Sequence, residues 1–189
     1  QPLEDNTVTV SRASRSLKFP AGFMLVASMN PCPCGWFGSK HKHCSCSGLD
    51  IQRYLAKISG PLLDRIDLHL NVNALKTDEL FNHQPAERSL AIKQRTLKAR
   101  SIQQQRFKHT SIHTNALMTS CELKTHCQLD KESSDLLKKA IEGLGLSARA
   151  HDKILKVART IADLNDRPRI DTQDIAQAIG FRSLDRTKE

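Results

Sequence analysis

Aromatic residues are scarce in this 189-residue chain, where one Trp, one Tyr and six Phe make up 4% of the sequence. None lies between Phe81 and Phe107, so that stretch has no side chain able to stack on nucleic-acid bases. Long apolar runs are missing too. The longest, Phe23 to Ala27, falls far short of the roughly 20 residues that cross a bilayer, and a soluble protein without a membrane role is expected. The chain opens Gln1-Pro2-Leu3-Glu4-Asp5, with no charged-then-apolar leader. No secretory or transit signal is therefore expected, and the sequence reads as a piece of something longer.

Acidic residues are outnumbered, 20 Asp and Glu against 29 Lys and Arg, for a net charge of +9. Much of the excess sits in residues 86–108, where Arg88, Lys93, Arg95, Lys98, Arg100, Arg106 and Lys108 face one acid, Glu87. Such a stripe suits a polyanion such as DNA, with Arg88, Lys93, Arg95, Lys98 and Arg100 as candidate phosphate contacts; a solvated surface helix is the competing reading. Six cysteines without a leader point to a reducing compartment, where closely spaced thiols more often bind metal than form disulfides.

The patterning predicts an α/β lobe followed by an all-helical lobe. Val8, Val10, Leu17 and Phe19 alternate with polar residues around Ser14-Arg15-Ser16, as in a hairpin with one buried face. Phe23–Met29 is apolar at almost every position, the pattern of a central strand covered on both faces, and Pro31 stops it at Asn30. A loop over 31–48 leads to a short helix at 49–58, broken by Ser59-Gly60-Pro61, and Leu68, Leu70 and Val72 alternate as one more strand. From residue 74 the period is helical. The pattern predicts helices at about 85–108, 131–142 ending at Gly143-Leu144-Gly145, 148–164 capped by Ser147, and a last one capped by Asp171. The expected division is 1–73 and 74–189.

Three residues have the chemistry of phosphate recognition. A carboxamide at the end of a buried strand, Asn30, sits where open α/β sheets bind ligands and can orient a water as well as meet a phosphate oxygen. Arg65, in Leu62-Leu63-Asp64-Arg65-Ile66-Asp67, has the planar charged fork that stabilises a phosphoryl group across a subunit boundary; an ion pair with Asp64 or Asp67 is the alternative. Arg149, in the first turn of the helix capped by Ser147, lies where the helix dipole favours anions, so its charge gains nothing locally unless it faces one. The loop Cys32-x-Cys34-x9-Cys44-x-Cys46 has the ligand count of a closed tetrahedral zinc site, with His41 and His43 as spare ligands. Cys121 and Cys127 read as ordinary thiols. Trp36 and Phe37 at the loop tip either cover the metal or face a neighbour.

The order Met29-Asn30-Pro31, two Cys-x-Cys pairs, Gly60-Pro-Leu-Leu-Asp-Arg-Ile-Asp-Leu-His69 and Leu146-Ser-Ala-Arg-Ala-His-Asp-Lys-Ile-Leu-Lys-Val-Ala-Arg-Thr-Ile-Ala-Asp-Leu164 resembles the ComM/YifB family of magnesium-chelatase-related AAA+ ATPases. The resemblance covers essentially the whole chain. It implies an α/β remnant of a AAA+ core, hairpin plus core strands, followed by an all-α lid and C-terminal helical domain. It further implies that Asn30 is sensor 1, Arg65 the arginine finger and Arg149 the sensor 2 arginine, with Asn30 and Arg149 binding the nucleotide and with ATP and Mg²⁺ as cofactors of the full-length protein. The resemblance also implies a bacterial, cytoplasmic, hexameric and ATP-driven protein, with DNA as partner and branch migration during natural transformation as the expected activity.

The departure from the family concerns its engine. No Gly-x4-Gly-Lys-Ser/Thr occurs, and no apolar strand ends in Asp-Glu, so by itself this sequence is expected not to hydrolyse ATP. Two other readings stand beside the DNA-remodelling ATPase. One is a zinc-stabilised nucleic-acid-binding module with no motor role; the other is a metal-insertion subunit like the magnesium chelatases proper.

Overall fold

The computed structural model describes residues 2–12, 15–40, 42–72, 81, 86–182 and 184. The chain divides into two compact units, residues 1–65 and 66–189. The boundary expected at 73/74 lies outside the described residues, but 66–72, read with the first lobe, group with the second.

The first unit opens with α1 (Pro2–Asp5) and a hairpin of β1 (Thr7–Arg12) and β2 (Arg15–Pro20). The antiparallel register sets Val8 opposite Phe19 and Val10 opposite Leu17, so the four apolar side chains share one face as the alternation requires. Ser16, read as part of the turn, is already in the ladder opposite Ser11, with their hydroxyls 3.0 Å apart. The face expected to be buried is open, with Phe19 47% and Leu17 55% exposed.

The predicted central strand does not form. Residues 21–30 have no regular secondary structure, and Met24 is 86% and Val26 81% exposed. A strand needs partners for its backbone N–H and C=O groups, and apart from the Ala21 N–H, which donates to the Asn6 carbonyl at 2.7 Å, no strand of this unit's described residues pairs with the segment. The second expected strand is corrected likewise. The His69 N–H donates to the Phe181 carbonyl at 2.7 Å, and Arg182 donates to the Ile66 carbonyl, so residues 66–69 are tied to a helix end instead of a sheet. The core strands of the expected α/β lobe are thus absent among the described residues, and the sheet present is the two-stranded hairpin.

After the cysteine loop come α2 (Gly48–Leu55) and α3 (Gly60–Arg65). Ser47 caps α2 through a capping box with Asp50. α2 ends at Leu55 with Ala56 as its C-cap, short of the expected residue 58, and Ser59-Gly60-Pro61 starts α3, since proline is well placed in a first helical turn.

The second unit is helical: α4 (Ser89–Arg106), a 3₁₀ turn at Asn115–Leu117, α5 (Ser120–His126), α6 (Lys131–Leu144), α7 (Ala148–Leu164) and α8 (Thr172–Gly180). Gly145 closes α6 at φ +60°, a conformation that costs glycine little. The Ser147 hydroxyl accepts the Ala150 N–H at 3.1 Å and starts α7. Ile154, Leu155, Ala158, Ile161 and Ala162 then line the buried face of α7 at helical spacing and pack with Phe107, Leu137, Ile175 and Ile179. Each large apolar side chain buried there contributes about 1.5–3 kcal/mol. No helix among the described residues is long and apolar enough to cross a membrane.

Candidate functional site

The four paired cysteines come together. The Gly35 N–H donates to the Cys32 carbonyl at 3.0 Å, and Gly35 sits at φ +80°, so the chain turns back sharply between the first thiol pair and Trp36. The Phe37 N–H donates to Cys32 Sγ at 3.3 Å. Cys32 Sγ lies 3.3 Å from Cys34 Sγ and 3.7 Å from Cys44 Sγ, with 3.5 Å between Cys34 and Cys44. All four sulfurs, Cys46 included, lie within 4.8 Å of one another. A tetrahedral zinc site with bonds of about 2.3 Å has sulfur–sulfur edges of about 3.8 Å, so the spacing fits one ion. The separations are too long for disulfides. Among the described residues the cluster is made of cysteine alone; His43 is not part of it, and His41 lies outside the described residues.

The electrostatics of the cluster point the same way. A bond from the Trp36 N–H, opposed by burial and helped by the Cys32 thiol, pushes Cys34 down to about 5. At Cys46 the Cys34 N–H lowers the value, but burial and the three neighbouring sulfurs outweigh it and push the thiol up to about 12. Four acids this close cannot all ionise without a cation among them, and a dication removes the conflict. Cys32 is also the one fully buried apolar residue described in the first unit. The cluster occupies the position of a core.

Asn30 is exposed, and a Cβ added to Gly35 would lie 3.9 Å from its carboxamide, so it abuts the turn of the cysteine loop. Arg65 is the last residue of α3. Its guanidinium pairs with Glu4 at 3.0 Å and donates to the Pro61 carbonyl at 2.9 Å. The alternative partner Asp67 is bound by Lys153 instead. Arg149 is exposed in the first turn of α7. Asn30 and Arg65 thus belong to the first unit and Arg149 to the second.

The basic segment divides in two. Arg88, Lys93, Arg95, Lys98 and Arg100 are all exposed. Arg95 is held by Glu87 at 2.6 Å and Lys98 by Asp166 at 2.7 Å, whereas Arg88, Lys93 and Arg100 meet no carboxylate among the described residues. Arg106, counted in the stripe, turns inward.

That inward turn belongs to a buried network the sequence reading missed. Arg106 grips Asp163 with both terminal nitrogens, at 2.7 and 2.5 Å, and donates to Asn115 at 2.8 Å. Asn115 donates to Asp163 at 2.8 Å, and Arg159 reaches the same carboxylate at 3.1 Å while capping the Arg167 and Pro168 carbonyls. Burial raises the Asp163 pKa, but the Arg106 and Asn115 bonds overcome it and hold the carboxyl below the ordinary aspartate range. The available signal was Arg159 and Asp163 four apart on an otherwise apolar helix face. Of the two remaining thiols, Cys127 is buried against the Leu155 carbonyl and pushed up to about 11, chiefly by burial, and Cys121 is exposed.

Against known proteins, a family model described as magnesium chelatase, subunit ChlI matches residues 1–80, and one described as its C-terminal region matches residues 86–182. The chain is 41% identical over 185 residues to the competence protein ComM of Haemophilus influenzae, covering 97% of this chain and 35% of ComM. It is 37% identical over 187 residues to YifB of Escherichia coli, covering 98% of this chain and 36% of YifB. The chain therefore spans about a third of the length of these relatives.

Proposed function

Because the chain belongs to the magnesium-chelatase-related family that includes ComM and YifB, we propose that it is the C-terminal part of a AAA+ ATPase that remodels DNA. The observation that carries this reading is the nearly end-to-end similarity to a competence protein. Asn30, Arg65 and Arg149 all fall within Met29–Pro31, Gly60–His69 and Leu146–Leu164, the segments that carry the family resemblance. The uncovered run at 23–29 supports it as well, since it has the composition of a central strand whose sheet is built from residues outside this sequence.

In this reading Asn30 orients the attacking water, Arg149 meets the γ-phosphate of the same subunit's ATP, and Arg65 serves the neighbouring subunit of a ring. ATP and Mg²⁺ supply the free energy and the charge neutralisation. The residues that would cradle the β- and γ-phosphates are not in this sequence, so these three alone do not hold the nucleotide. Zn²⁺ is the ion that the four thiolates fit, in a structural role. Protein prepared without chelator should contain one zinc per chain, lost in a Cys34→Ser variant. An ordered cysteine loop with no zinc on elemental analysis would remove the metal from this account.

DNA contact falls to the exposed charges of α4, through phosphates and not bases. Reversing Arg88, Lys93 and Arg100 to Glu in the full-length protein should weaken DNA binding and make its logarithmic salt slope shallower by up to about 3. These three are the informative positions because they meet no carboxylate among the described residues. Unchanged affinity at low salt would leave α4 a solvated face. Stimulation of ATP hydrolysis by branched DNA separates the motor from a passive binding module, which would show none.

A further inference from the structure

The loop closed by the four thiols presents a surface that the reading above does not use. Gly35 at φ +80° and Gly38 at φ +77° bracket Trp36 and Phe37. The Ser39 N–H returns to the Trp36 carbonyl at 3.0 Å, closing a tight turn at the tip. Trp36 is 37% and Phe37 52% exposed, so both keep part of their surface open to solvent. Lys42 Nζ stands 4.8 Å from the Trp36 ring centroid, and Lys40, Lys42 and His43 are exposed. From Pro31 to Leu49 there is no acidic residue.

We propose that this tip is a contact for single-stranded DNA, with Trp36 and Phe37 stacking on bases and Lys40 and Lys42 meeting the adjacent phosphates. The proposal rests on the DNA-acting reading above and adds to it the element that engages unpaired bases. The chain's single tryptophan sits beside lysines in a stretch free of carboxylates, and this combination of flat faces and positive charge is how proteins grip a single strand without reading its sequence. The contrast within the same unit is instructive. Residues 21–30 also expose apolar side chains but carry no charge, as a strand awaiting a sheet should, whereas the tip complements a polyanion. A duplex offers its base faces only at its ends, so aromatic stacking selects the unpaired strand. The α4 charges have no aromatic neighbour and fit backbone alone.

The test uses the emission of Trp36 in this chain, titrated with oligo(dT), alongside the anisotropy of a labelled strand. Quenching of Trp36 by oligo(dT), with less by a duplex of equal length, is expected. The Trp36→Ala, Phe37→Ala double variant should bind the strand roughly ten-fold or more weakly, with zinc content and helicity unchanged. Trp36→Phe should retain most of the affinity, and Lys40→Glu, which leaves both rings and the Lys42 contact to Trp36 in place, should lower it. Strand binding with Trp36 emission and double-variant affinity both unaltered would overturn the tip contact while leaving DNA binding to α4. No binding of any DNA would overturn both. A Trp36 shift that follows protein concentration and tracks a doubling of mass, indifferent to oligo(dT), would overturn the proposal in favour of a second copy of the chain as occupant.

Discussion

In the full-length protein, Arg65→Ala is expected to reduce ATP hydrolysis by about 10³-fold or more while nucleotide binding is largely kept. An arginine finger acts on charge that develops in the transition state, so its loss falls on kcat and not on ground-state affinity. The guanidinium at the end of α3 is partly exposed and held by Glu4 at 3.0 Å. That pair gives a sharp control. If Arg65 only fastens α1 to α3, Glu4→Gln should reproduce the defect, and both changes should act through stability by about 1 kcal/mol or less, as partly exposed pairs do. If Arg65 is the finger, Glu4→Gln should leave turnover near normal. Arg65→Lys should fail despite keeping the charge, because an ammonium lacks the planar fork. Mixing settles which subunit is served: Arg65→Ala subunits combined with subunits unable to bind ATP should recover some hydrolysis. Mixed rings that stay inactive at every ratio would return Arg65 to its partner Glu4.

The second large effect concerns the helical unit. Asp163→Ala should destabilise it by about 3–5 kcal/mol, because it leaves the guanidinium groups of Arg106 and Arg159 buried without their shared carboxylate. Thermal unfolding followed by circular dichroism should show a midpoint lower by more than about 10 °C. Removing the exposed Lys98–Asp166 pair should change it little. A loss under about 1 kcal/mol for Asp163→Ala would mean that water replaces the carboxylate at no great cost. The pH dependence follows from the sign of the shift. The folded pKa lies below the ordinary aspartate value of 3.8, so the contribution is fully present above that value and fades as the pH falls through the depressed folded one.

The helical unit was legible because its signals are local. Ser147, Asp171 and Gly145 each satisfy helix-end groups by their own chemistry, and the structure places helix ends at all three. Where a local signal was passed over, an element was lost. Thr119 and Glu122 form the capping box of α5, a helix absent from those expected between residues 108 and 131. The thiol cluster was legible from spacing alone, since four ligands within 15 residues have few other uses. Arg106 was misread because charge on a helix says nothing about which way it points until the neighbour is known, and its neighbour, Asp163, is 57 residues away. The strand at 23–29 failed for a different reason. Its composition describes an environment, and among the described residues of its unit that environment is not supplied.

No charged side chain lies between Lys18 and Lys40, a stretch that includes the open hairpin position Phe19 and the uncovered run Phe23–Met29. Extended apolar backbone with free hydrogen-bonding groups and no lysine or acid to keep copies apart is adhesive toward itself. The colloidal behaviour of this chain in isolation is therefore governed by its first 40 residues, whatever the melting temperature of the helices. Pieces that begin at Ile66 keep the Arg182 and Phe181 contacts to 66–69 and leave the adhesive stretch behind.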